Sequence, residues 1–223
     1  QINNWNSERI EKETFISNLQ FTIEDLEQDK TDLIKLKNER KRVLDKADII
    51  LQATKEQKKL TAYEIFENSE IMIWKSFEMN STGFERILSS NIYESIEFQP
   101  IREKIRKYQS NYQRIKGLEK KLNESIEEME IEMSKDGSIL ELYEYSDLVY
   151  SLSNNGKEID AETDNKIVNY FIDFNKSYIN NPPMLSLFQR GKLITRAIIQ
   201  QYNYHIDLAA DLQRSIDNYL NKQ

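Results

Sequence analysis

Apolar side chains recur along this chain at steps of three and four, the spacing that keeps them on one face of an α-helix. Between Ile10 and Leu51 the stripe is Ile16, Leu19, Ile23, Leu26, Leu33, Leu36, Val43, Ala47 and Leu51, with polar breaks at Lys30 and Arg40. It predicts a first helix from about Asn3 to about Thr54. Residues 55–60 (KEQKKL) read as a turn, and Tyr63, Phe66, Ile71, Trp74 and Phe77 predict a second helix ending near Asn80. There NSTG supplies turn and capping chemistry for a short helix, FERILSS.

The most regular stripe runs from Ile101 through Ile105, Tyr108, Tyr112, Ile115, Leu122, Ile126, Met129 and Met133, with only Glu119 out of place. Four heptads of this kind form a coiled-coil-like seam. Pro100 suits the first turn, where its missing N–H costs nothing. Gly117 in mid-helix predicts a slight bend or a close approach of a neighbouring helix. Asp136-Gly137 ends the helix, and SILELYEYSDLVYSL (138–152) reads as a shorter one in spite of its alternating L-Y-E-Y. After the turn signal Asn154-Asn155-Gly156, a helix is expected from about Ala161 to Ile179. Pro182 and Pro183 then open a last long helix striped by Leu185, Phe188, Ile198, Tyr202, His205, Ala209, Leu212, Ile216 and Tyr219. The expected fold is all-α: an elongated antiparallel bundle of long, coiled-coil-like helices. It is expected as one domain over 1–223, comprising a first helix (1–54), central helices (61–135) and C-terminal helices (138–223).

Composition agrees. Only 5 Gly and 3 Pro occur in 223 residues and 31% are charged, which suits long helices. A net charge of −7 argues against nucleic acid as a partner, since phosphate binding needs clustered Lys and Arg. With no cysteine there is no thiolate site or disulfide. No apolar run approaches the roughly 18 residues that cross a bilayer. Charge is uneven: Leu118–Glu144 holds nine acidic and three basic residues, Lys35–Lys46 six basic and two acidic. Pairing between these two stretches is one reading. A polybasic lipid contact is another, but Lys35 lies roughly 50 Å along a continuous helix from Gln1.

Catalytic motifs are missing. The single histidine, His205, falls on the seam of the last helix, where packing is the favoured role; no Glu stands three residues before it, so the ligand pair of di-iron bundles is not formed. Neither a nucleophile elbow nor a phosphate-cradling glycine loop exists. Glu124, Glu127, Glu128, Glu130 and Glu132 are spaced as a solvated helical face rather than a calcium loop. The chain is therefore expected to be no enzyme and to need no cofactor. Tyr108, Tyr112, Tyr202 and His205 could line a ligand groove, with core packing the favoured alternative.

The opening residues add a resemblance. QINNWNSER is similar to the segment that follows the hydrophobic helix in a family of uncharacterised bacterial single-span inner-membrane proteins, where the span ends in a run such as LIALQINNWNE. Gln1, Ile2, Asn3, Asn4, Trp5 and Asn6 carry the match, continuing to Arg9. A second stretch resembles that family's T-x-x-x-L-x-x-S-G and L-R-x-x-I-x-x-Y-Y patterns through Thr82, Leu88, Ser89, Ile101, Arg102, Ile105 and Tyr108; Asn91 replaces the glycine and Gln109 the second tyrosine. The resemblance implies topology and no activity. Gln1, Asn3, Asn4, Trp5 and Asn6 would be membrane-proximal, with Trp5 at the interface where an apolar ring with a wet N–H is favoured. The chain would be a fragment whose N-terminal span has been removed, its short basic start left in the cytoplasm and this domain in the periplasm. The expected function is a membrane-anchored scaffold acting through an unidentified protein partner, with self-association allowed by the seams. The alternatives are a ligand-sensing extracytoplasmic bundle and a soluble cytoplasmic coiled-coil adaptor.

Overall fold

A computed structural model describes the backbone of residues 2–135, 138–154, 158–177 and 183–222, and the side chains of these except 2–5, 8, 62, 138, 139, 141, 142, 153, 154, 170–177, 183 and 184. The elements in order are α1 (Ile2–Glu56), α2 (Ala62–Glu67), a 3-10 turn (Glu70–Met72), α3 (Thr82–Leu88), a second 3-10 turn (Asn91–Glu94), α4 (Gln99–Ser134), α5 (Ser138–Asn154), α6 (Ala161–Ser177) and α7 (Pro183–Leu220). The fold is all-α, and no strand occurs among the described residues. The 138–152 segment is helical, as its neighbours suggested.

Two compact units divide the chain: Gln1–Asn38 with Ser76–Gly117 and Ile199–Gln223 form unit 1, and Glu39–Lys75 with Leu118–Ile198 form unit 2. Both units draw on all three segments expected from sequence, so the boundaries near 54–61 and 135–138 partition the chain and not the fold.

In unit 1 the core is built by Phe15, Leu19 and Leu26 of α1, Phe84 and Ile87 of α3, Ile101, Ile105 and Tyr108 of α4, and Ala209, Leu212 and Ile216 of α7. Phe15, Phe98 and Tyr219 meet edge to face at 5.1–6.4 Å, the preferred geometry for aromatic quadrupoles. Phe15 meeting Phe98 and Asp29 meeting Tyr108 show that α1 and α4 run in the same direction. Tyr219 meets Phe15 and Phe98, whereas the earlier α7 residues Gln213 and Asp211 meet the later Lys30 and Lys104, so α7 runs antiparallel to both. Parallel neighbours need a return path, which the residues between α1 and α4 supply.

Gly83 explains how α3 docks. A Cβ there would lie 2.5 Å from the backbone nitrogen of Thr22, so only glycine allows this contact with α1. Gly83 N–H donates to Asp25 Oδ2 at 2.6 Å, and Asn80 N–H to Asp29 Oδ1 at 2.9 Å. Two carboxylates one turn apart on α1 thus cap the segment that leads into α3. At Gly117 the expected close approach does not occur: a Cβ there would meet nothing within 4 Å.

Unit 2 packs Val43, Ala47, Ile50 and Ala53 of α1 against Ile65, Ile71, Ile126, Met129, Met133, Val149, Ile167, Val168, Leu187 and Phe188. The expected helix through Trp74 and Phe77 is not formed. α2 begins with a reciprocal capping box between Thr61 and Glu64 but stops after six residues. Asn68 Nδ2 donates to the Glu64 carbonyl and Ser69 Oγ to that of Ile65, taking acceptors the next turn would have used. Ile73 is extended, and Trp74 lies 54% exposed instead of in a core.

Candidate functional site

The stripes that α1, α4 and α7 bury in unit 1 are not wholly apolar, and their polar members meet. On α1 the buried positions step from Thr22 through Leu26 and Asp29 to Leu33, so the polar break in the stripe is Asp29 and not Lys30. Asp29 accepts three hydrogen bonds from two residues: Oδ1 takes Asn80 N–H and Nδ2 (2.9 and 2.8 Å), and Oδ2 takes the Tyr108 hydroxyl at 2.5 Å. Burial raises its carboxyl above the usual range, against the opposing pull of the Asn80 and Tyr108 hydrogen bonds. The same burial, reinforced by the Asp29 charge, pushes the Tyr108 phenol far up. Tyr108 is therefore a permanent donor.

The Tyr108 ring stacks on His205 of α7 with centroids 3.9 Å apart and planes 19° off parallel. Phe77, from the segment before α3, meets the same imidazole edge to face at 5.7 Å, and it also meets Tyr112 and Tyr202. Burial alone holds the imidazole down at about 4, so it is neutral at pH 7. Asn111 Nδ2 donates to the Gln201 carbonyl at 3.3 Å and lies 3.2 Å from His205 Nδ1. Both contacts are satisfied only if Nδ1 accepts, which puts the imidazole proton on Nε2. Among the described residues, His205 Nε2, Asn111 Oδ1 and Gln201 Oε1 are buried without a hydrogen-bond partner.

Of the groove residues proposed from sequence, Tyr108, Tyr202 and His205 come together and are fully buried, whereas Tyr112 is half-buried and points its hydroxyl to Glu78. Lys116 and that tyrosine together hold the Glu78 carboxyl below its ordinary range. Sequence reasoning missed Asp29, Phe77 and Asn111. Asp29 was findable, since it continues the three-four stepping from Leu26 to Leu33; Phe77 was not, because it arrives from a non-helical segment.

A second buried polar feature belongs to unit 2. Arg40 and Glu119, each 2% exposed, approach to 3.9 Å, and Arg40 Nη2 donates to the Lys75 carbonyl at 2.6 Å. The two polar interruptions that sequence reading placed in separate stripes are one interaction.

The membrane-proximal residues are only partly described. Gln1 and the side chains of Asn3, Asn4 and Trp5 lie outside the described residues; Asn6 is exposed on α1. Among the described residues no helix is long and apolar enough to cross a membrane, and no three or more His, Asp or Glu side chains are grouped as a metal site.

No family model, curated protein or solved structure matches the chain. Chemically, the unit 1 cluster is a brace: a carboxylate, a phenol, an amide and a neutral imidazole that tie α1, α4 and α7 to the segment carrying Phe77 and Asn80.

Proposed function

We propose that this chain is a non-enzymatic helical interaction module, held on the periplasmic face of an inner membrane by a span preceding Gln1. What carries the reading is how the polar seam residues are used. Asp29, Tyr108, Asn111 and His205 engage one another, Arg40 engages Glu119, and all are shut off from solvent, while large apolar side chains such as Leu140, Tyr143 and Tyr150 stay at the surface. A catalytic imidazole or carboxylate has to reach a substrate. An interaction module needs a rigid bundle and apolar surface. The resemblance of QINNWNSER to a juxtamembrane segment supports the anchor.

Fractionating cells that express the complete gene product tests both halves. The expected result is a membrane-bound protein whose bundle is cut by protease added to the periplasmic side and which crosslinks to a neighbour. Recovery in the cytosol would refute the anchor, and a strictly monomeric protein with no crosslinked neighbour would refute the scaffold. A ligand-sensing bundle is the second reading, favoured by the partnerless Asn111 Oδ1, Gln201 Oε1 and His205 Nε2. A small polar molecule that raises the melting temperature of the wild type and not of Asn111→Leu would establish it.

A further inference from the structure

We propose that the exposed face of α5 in unit 2 docks a basic amphipathic helix of a partner protein; this rests on the interaction-module reading above. Leu140, Tyr143 and Tyr150 are 65%, 50% and 55% exposed. With Asp147 they are spaced three, four and three apart, which places them along one side of the helix. Val149 and Tyr145, on another side of α5, face the unit 2 core. The helix is thus apolar on more of its circumference than its own unit covers. Such a row spans about 15 Å, enough for two to three turns of a partner helix contributing anchors at i, i+3 or i+4, and i+7.

Charge selects the occupant. From Leu118 to Asp164 the sequence carries fourteen acidic and four basic residues. Glu144 and Asp147 are exposed on α5 and make no ion pair among the described residues, and the Tyr143 hydroxyl donates to Glu130 of α4 at 3.3 Å. An anionic lipid surface or a nucleic acid would be repelled. A second copy meeting this face about a twofold axis through the middle of the row would bring Asp147 of one copy beside Glu144 of the other, acid against acid. A helix with Leu or Ile on one side and Lys or Arg flanking them satisfies both the apolar row and its acidic border.

The test uses the full chain and a fluorescein-labelled amphipathic Lys/Leu peptide of about 18 residues, with a scrambled peptide of the same composition as control, read by fluorescence anisotropy. The amphipathic peptide is expected to bind and the scrambled one to bind at least about tenfold more weakly. The double variant Leu140→Ser/Tyr150→Ser, which keeps every acid, and Asp147→Lys, which keeps the apolar row, should each weaken binding by about tenfold or more while circular dichroism stays unchanged. Equal binding of the two peptides, or wild-type affinity in the double variant, overturns the proposal. A photo-crosslinker placed in cells at Tyr143 and, in unit 1, at the exposed Tyr204 separates the two levels. Capture of a neighbour at Tyr204 but not Tyr143 overturns the α5 site and leaves the module reading standing; capture at neither position overturns both.

Discussion

Acidification should destabilise unit 1 through His205 with a magnitude that can be worked out. The imidazole is held at about 4 by burial, against 6.5 for a free histidine. Its pKa is depressed by folding, so between these values the unfolded chain binds a proton that the native state refuses, and stability rises with pH. The contribution is fully present above pH 6.5 and is lost as pH falls toward 4. Linkage gives a loss of about 0.8 kcal/mol at pH 6, about 2 at pH 5 and roughly 3 once both states are protonated. Asp29, one ring away through Tyr108, works in the opposite sense: its raised carboxyl retains a proton in the native state above the ordinary carboxylate range, so its effect on stability falls as pH rises through that window. Comparison with His205→Leu removes Asp29 and the surface carboxylates from the difference. Urea unfolding followed by circular dichroism at pH 7, 6, 5 and 4.5 should show the wild type losing stability faster than the variant by these amounts. Parallel curves for the two proteins would refute the assignment of His205 as a buried neutral group.

Three further substitutions probe the packing. Gly83→Ala forces a methyl into the α1 backbone and should cost about 1–3 kcal/mol, whereas Gly117→Ala meets open space and should stabilise by up to about 1 kcal/mol; thermal melts of the pair check both signs. Glu119→Leu leaves the Arg40 guanidinium buried without its carboxylate and should cost about 3–5 kcal/mol, most of it recovered in Arg40→Met/Glu119→Leu, a double-mutant cycle readable by chemical denaturation. Tyr108→Phe removes a hydrogen bond to a buried carboxylate, for an expected loss of about 1.5–3 kcal/mol, and should raise the Asp29 pKa further, measurable by carboxyl-carbon NMR titration.

Most helices were legible because their signal is local. Three-four stepping of apolar residues, Pro183 at a helix start and the turn residues before Ala161 fix α1, α4, α6 and α7 to within a few residues. Reading failed where tertiary contacts override local pattern. The stretch 68–81 has enough apolar residues for a helix, but Asn68 and Ser69 cap α2 early, and Asn80 is held by Asp29 from a helix more than fifty positions away in sequence. Gly83 and Gly117 look alike in the sequence, yet only Gly83 touches another backbone.

The candidate site divides the same way. That Tyr108, Tyr202 and His205 belong to buried faces follows from spacing, because a helix's periodicity decides which side chains share a side. That Tyr108 bonds Asp29, that His205 lies on its ring, and that Arg40 finds Glu119 are decided only when the helices take their register, since a stripe specifies a face and not what lies opposite it. By itself, the sequence determined an all-α chain with three long seams and no recognisable catalytic motif. The tertiary structure alone decided that the polar interruptions in those seams are partners, because leaving a polar group buried costs more than aligning two of them.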